Sequence, residues 1–175
     1  MSAIENIRIS AIGVSILILM AGGILLYPGA RDYMVAIFGG GSVQEVDFFT
    51  LDPDPRFDHF LACPSDICAA TDDFLTIDDL NISATELRNI LLEFTDSLPT
   101  VSVRSFDMSI LQFEFIERSP VRQIPDIITV RIFEKGPNRS ALAIYSRSFS
   151  GRAEERSNER RVKRWLRMIS PNEIA

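Results

Sequence analysis

Nineteen consecutive uncharged residues, Ile9 to Tyr27 (ISAIGVSILILMAGGILLY), constrain this chain more than any other feature. A helix needs about 20 mostly apolar residues to cross the hydrocarbon core of a bilayer. The run meets that length, and the next charge is Arg31. The competing reading is a cleaved signal peptide, whose apolar region usually spans about 7–15 residues before a small-residue cleavage site. Here the run is longer, and it ends Leu25-Leu26-Tyr27-Pro28-Gly29-Ala30 without an A-x-A pattern. The expectation is therefore a retained, single-pass transmembrane anchor over residues 1–30. Arg8 and Arg31 balance the positive-inside count, and the N-terminal amine tips the orientation toward an inside N-terminus. That orientation predicts a bacterial inner-membrane protein with a periplasmic soluble domain.

Beyond residue 41 about 134 residues remain, enough for one domain with its own core. Charge is unevenly distributed. Residues 42–151 hold 18 acidic and 9 basic residues, net -9, whereas residues 152–169 hold 7 basic and 3 acidic, net +4. An acidic body with a basic final helix argues against a nucleic-acid partner, which selects basic domains.

Residues 31–44 read as a juxtamembrane segment ending in a hinge, Gly39-Gly40-Gly41-Ser42, since adjacent glycines make a flexible joint. The soluble domain is expected over 45–175. Residues 45–80 read as loop-rich, because Asp52-Pro53-Asp54-Pro55 and Cys63-Pro64-Ser65-Asp66-Ile67-Cys68 favour turns. Ser83 followed by Glu86 is a capping box, and Leu87, Ile90, Leu91 and Phe94 recur at helical spacing behind it. Four strands follow: Val101–Phe106, Ile110–Ile116, Ile127–Phe133 and Ala141–Phe149, the last two joined by a Lys135-Gly136-Pro137-Asn138 turn. A helix from about Glu154 to Ile169 closes the chain. The fold class expected is α+β: a two-layer domain with a roughly four-stranded antiparallel sheet packed by two helices, its second face open to solvent or a partner.

Several segments resemble, in order, the family called domain of unknown function 1499. Ser146-Arg147-Ser148, Gly151, Asn158 and Arg161-Val162 are similar to its S-R-S-x-x-G-x-x-D-x-G-x-N-x-x-R-V signature, and Leu61-Ala62-Cys63-Pro64 to its L-A-C-P segment. Glu117-Arg118-Ser119 and Pro125 to Val130 resemble its Q-R-S and P-D-(aliphatic)-I-T-V segments, so the resemblance spans roughly residues 59–169. Two positions depart. Glu154 stands where the family has Asp, and Arg156 where it has Gly; a left-handed turn there would strain an arginine. The resemblance implies fold and placement rather than an activity.

The last helix, drawn as a wheel, gathers Glu154, Asn158, Arg161, Val162, Trp165, Leu166 and Ile169 on one arc. Arg161 therefore faces the core and needs partners. Two readings follow: a structural clamp onto strand carbonyls or a carboxylate such as Asp126, or an anion site built from Arg147, Asn158 and Arg161. Strand alternation puts Arg131, Tyr145 and Arg147 together on the sheet face away from the aliphatic side, a surface suited to binding or simply a solvated face. The same alternation conflicts with joining Arg147 to Arg161 in one site.

Cys63 and Cys68 outside the cytoplasm are expected to form a disulfide. With His59, the only histidine, they supply just three candidate zinc ligands, so no metal and no cofactor are assigned. Neither a nucleophile elbow, a P-loop nor a zinc-protease motif occurs, and no catalytic residue is assigned. The function expected is a non-enzymatic, extracytoplasmic binding or accessory module. Its candidate ligand contacts are Arg131, Tyr145, Arg147, Glu154, Asn158 and Arg161, and its small-molecule ligand is unspecified. Two alternatives stand beside it: an enzyme holding an anionic small molecule between Arg147 and Arg161 with Glu154 as acid or base, and a structural subunit of a membrane protein complex.

Overall fold

The computed structural model describes residues 46–54, 58–69, 73–119, 125–148 and 156–170. The chain divides into two units, Met1–Gln44 and Glu45–Ala175, and every described residue belongs to the second. The expected anchor Ile9–Tyr27, the 31–44 segment and Glu154 lie outside the described residues. No helix among the described residues is long and apolar enough to cross a membrane.

The elements run β1 (His59–Cys63), β2 (Phe74–Thr76), α1 (Ala84–Asp96), β3 (Val101–Asp107), β4 (Gln112–Arg118), β5 (Pro125–Gly136), β6 (Arg139–Ser148) and α2 (Ser157–Ile169). They form an α+β domain with one sheet ordered β2-β1-β6-β5-β4-β3. The sheet has six strands rather than the four expected. The two additional strands come from the stretch read as loops. β1 pairs antiparallel with β6 and parallel with β2, so the sheet is mixed. Physically, β1 is the apolar run His-Phe-Leu-Ala-Cys, and Phe60 to Cys63 are all buried, so it lacks the alternation that betrays a strand. β2 is three residues long and leaves no pattern at all.

The two helices form where local chemistry directs. Ser83 sits in an extended conformation and its hydroxyl accepts from Glu86 N–H at 3.2 Å, which satisfies one free donor at the start of α1. Leu87, Leu91 and Phe94 then point inward. α2 begins differently: Arg156 at its N-cap is left-handed, with φ 56° and ψ 27°, and its side chain makes no capping bond. Glycine adopts this left-handed backbone most readily, so an arginine here is strained.

Both helices cover one sheet face. Phe113 and Phe115 from β4, Ile128, Val130 and Ile132 from β5, and Leu142 and Ile144 from β6 pack there against Leu87, Leu91, Val162, Trp165 and Leu166. Trp165 is fully enclosed, edge-on to Phe94 at 5.3 Å and to Phe115 at 5.5 Å. Burial of this set supplies the main driving force of the fold.

The second face is not open as expected. Val46, Phe48, Ile67 and Cys68 pack onto Leu61, Ala141, Ala143 and Tyr145 there, forming a smaller core. Cys63 and Cys68 are bridged, with S–S 2.03 Å, and the five-residue step between them closes a loop over this face. Asp66 in that loop is paired with Lys135 of β5 at 2.6 Å. Two short segments thus cover part of a face that a count of helices would leave bare.

Candidate ligand-binding face

Arg147 and Arg161 are the two arginines that the sequence offered jointly as an anion site, and the sheet separates them. Ser146 and Ser148 share the phase of Leu142 and Ile144 and face the helices; Arg147 follows Tyr145 to the other side. The candidate residues therefore fall into two groups. Asn158 and Arg161 lie on the helix side. Arg131, Tyr145 and Arg147 lie opposite.

On the helix side Arg161 is a clamp. Its guanidinium donates to Asp126, to Asn158 Oδ1 at 2.7 Å and to Ser146 Oγ at 3.2 Å, and its Nε lies 3.5 Å from Glu117 Oε2. Glu117 also accepts from Trp165 Nε1 at 2.9 Å and from Arg164. Asn158 completes the network, donating through Nδ2 to the Asp58 carbonyl at 2.9 Å and to Ser148 Oγ at 3.1 Å, while its Oδ1 accepts from Ser146 Oγ at 2.7 Å. Two carboxylates, from Glu117 and Asp126, meet Arg161, and a third, from Asp58, is linked to it through Asn158, with Arg164 at the rim. Burial pushes the Asp126 carboxyl up, and the neighbouring Asp58 charge adds to this, while Arg161 partly offsets it. An anionic ligand would meet more negative than positive charge here. The geometry ties α2 to the ends of β1, β4, β5 and β6.

Asp58 and Glu117 are the members of this network that sequence reasoning missed, and Glu117 carried a signal. Its signal is phase: it follows Phe113 and Phe115 at two-residue spacing on the core face of β4, and an acid in register with two buried phenylalanines requires a buried partner. Arg164 lies on the exposed side of α2, and its long side chain reaches back to Glu117 from there.

The opposite face carries the second group. From β4 to β6 the rows are Gln112–Arg131–Ala143, then Glu114–Thr129–Tyr145, then Ile116–Ile127–Arg147. Arg147 pairs with Glu114 Oε1 at 3.3 Å, and Arg104 from β3 takes the other oxygen at 2.8 Å. The Arg147 guanidinium stacks over Tyr145 at 5.5 Å, and His59 lies beside the same ring at 6.2 Å. Burial lowers the Arg147 pKa and raises that of the Tyr145 hydroxyl. Arg131 sits between two aromatic rings, 4.7 Å from Phe133 and 5.4 Å from Phe49.

The segment over this end is shaped by Asp47. Its carboxylate accepts from Phe49 N–H at 3.1 Å and from the Thr50 hydroxyl at 3.0 Å, making an Asx turn. That turn sends Phe48 into the core and leaves Phe49 57% exposed on top of Arg131. Gln112 Nε2 donates to the Val46 carbonyl at 3.0 Å. On this face Gln112 Oε1, Thr129 Oγ1 and Arg131 Nε are buried without a hydrogen-bond partner among the described residues. An unsatisfied buried polar group costs about 1–3 kcal/mol. Asp126 Oδ1, Arg161 Nε and Ser170 Oγ, on and beside the clamp, are likewise buried without a hydrogen-bond partner among the described residues. Gln112 and Thr129 were not singled out from sequence, although both share the phase of Arg131.

No protein-family model matches this chain, and no curated protein matches it significantly.

Proposed function

We propose that the chain is a membrane-anchored, extracytoplasmic binding or accessory module, non-enzymatic, whose ligand is recognised on the sheet face of Arg131, Tyr145 and Arg147. One observation carries the reading: this face gathers the Arg131 and Arg147 guanidiniums with the rings of Tyr145, Phe49 and Phe133, and Arg131 keeps a buried Nε without a hydrogen-bond partner among the described residues. Aromatic residues and arginine are the groups enriched where proteins recognise partners. The anchor Ile9–Tyr27 and the resemblance to domain of unknown function 1499 support the membrane setting and add no activity. The enzyme alternative required Arg147 and Arg161 on one substrate; they face opposite sides of the sheet, and no observation favours it.

The test is a thermal-shift panel on the full chain in mild detergent, using anionic, zwitterionic and neutral small molecules. A molecule that stabilises the wild type should lose most of its effect in Arg131→Gln, Tyr145→Phe or Arg147→Gln. Equal stabilisation of all three variants would contradict the reading.

A further inference from the structure

The three unsatisfied groups form one constellation with a defined hydrogen-bonding demand. Gln112 and Arg131 are direct cross-strand partners, and Thr129 lies two residues from Arg131 on the same face. The Gln112 amide has a fixed orientation, because its Nε2 is committed to the Val46 carbonyl; the orphan is therefore the acceptor Oε1. Arg131 Nε is a donor, and the Thr129 hydroxyl can donate or accept. Thr129 is 2% exposed, and its hydroxyl has no hydrogen-bond partner among the described residues.

The cover is anchored at Val46 and Phe48, both seated in the small core, and is loosest at Phe49. Its contacts with the polar floor are one hydrogen bond at Val46 and the Phe49 ring over the guanidinium. Phe49 already has most of its surface in water, so lifting it exposes little more. Val46 and Phe48 are the firm attachments, seated in the small core with Ala143 and Tyr145.

We propose that Phe49, the loosest point of the segment Val46–Leu51, is a displaceable cover over a carboxylate site. A ligand carboxylate accepts from Arg131 Nε–H and the Thr129 hydroxyl, and an N–H next to that carboxylate donates to Gln112 Oε1. Arginine suits the carboxylate, and the neighbouring acceptor selects ligands that carry nitrogen beside it. That chemistry belongs to α-amino and α-amido carboxylates, supplied either by a free amino acid or by the carboxyl terminus of a peptide. The inference rests on the sheet-face reading above and adds the ligand class and the gate.

The experiment measures melting temperature and calorimetric binding on the full chain in detergent, at constant ionic strength. The probes are glycine, acetyl-glycyl-glycine and its C-terminal amide, each to millimolar concentration. At least one carboxylate probe should bind, and the amide should bind at least tenfold more weakly. Binding of glycine alone identifies a free amino acid; binding of the acetylated probe alone identifies a peptide terminus. Phe49→Ser should strengthen binding several-fold by loosening the cover, and Arg131→Gln should weaken it at least tenfold. Thr129→Val should raise the melting temperature of the unliganded chain while weakening ligand binding several-fold, a pair of opposed effects that a purely structural threonine does not produce. The inference is overturned if neither carboxylate binds, or if Thr129→Val binds as well as the wild type. If other molecules bind and lose affinity in Arg147→Gln while the carboxylates stay inert, the ligand class fails and the sheet-face reading survives. If ligand binding ignores every variant on this face, both fail.

Discussion

Arg161 on α2 and Asp126 at the start of β5 form a hydrogen-bonded ion pair in which both side chains are almost closed to water, at 8% and 7% exposure. Removing one partner of such a pair leaves the other buried and uncompensated, which typically costs about 3–5 kcal/mol. Arg161→Ala should destabilise the domain by that amount in urea melts. Arg167→Ala, exposed on the same helix, should shift stability by less than about 0.5 kcal/mol. Arg164→Ala should fall between, near about 1 kcal/mol, because it donates to Glu117 from a half-exposed position. Equal, small shifts for Arg161 and Arg167 would reject the clamp.

The Asp126 carboxyl has a distinct pH signature. Its pKa is raised by burial, with Asp58 adding to the effect. The folded state therefore holds this proton more tightly than the unfolded chain does. Stability linked to Asp126 is fully present below the unfolded carboxyl pKa and falls as pH rises through the raised folded value. Urea melts of wild type and Asp126→Asn across this range isolate the contribution. The stability difference, wild type minus variant, should decrease with rising pH. An increase would mean that attraction to Arg161 outweighs burial.

Arg156 at φ 56° occupies a conformation that disfavours side chains with a Cβ. Arg156→Gly should stabilise the domain by roughly 0.5–1 kcal/mol, the relief of the left-handed residue less the extra freedom of glycine in the unfolded chain. Circular-dichroism melts settle the sign. A lower melting temperature would show that the Arg156 side chain, 4.0 Å from Glu159, contributes more than its backbone costs.

The Cys63–Cys68 bridge closes a short loop and should contribute about 2 kcal/mol in the chain-entropy model. Cys63→Ser/Cys68→Ser should lower stability by about that much, and the wild type should show no alkylatable thiol until reductant is added. In cells, the full chain should remain in the membrane pellet after alkaline extraction and be released when residues 1–30 are deleted. Two free thiols in acid-trapped membranes would contradict an oxidising location.

Much of this domain was legible in its residues, and what was not has identifiable causes. The four longest strands and both helices announce themselves by period, and Ser83 marks the start of α1 through its own hydrogen bond. The clamp between Arg161 and Asp126 was one of two readings of an arginine in phase with Val162 and Trp165, the other being an anion site. β1 was hidden because a strand buried on both faces has no alternation. The cover Val46–Leu51 was hidden because tertiary contact, not periodicity, seats Phe48 at the sheet. Strand phase placed Arg131, Tyr145 and Arg147 together, but it cannot register a segment distant in sequence folding over them.

The central claim is a division of labour: the helix-side arginine holds the fold and the opposite face binds. Ligand-induced thermal shift, measured in parallel on Arg161→Ala and Arg131→Gln with whichever molecule stabilises the wild type, tests it most directly. The account predicts a large loss of baseline stability with the ligand response retained in Arg161→Ala, and near-normal stability with the response lost in Arg131→Gln. The reverse pattern, with the response lost in Arg161→Ala and intact in Arg131→Gln, would contradict it.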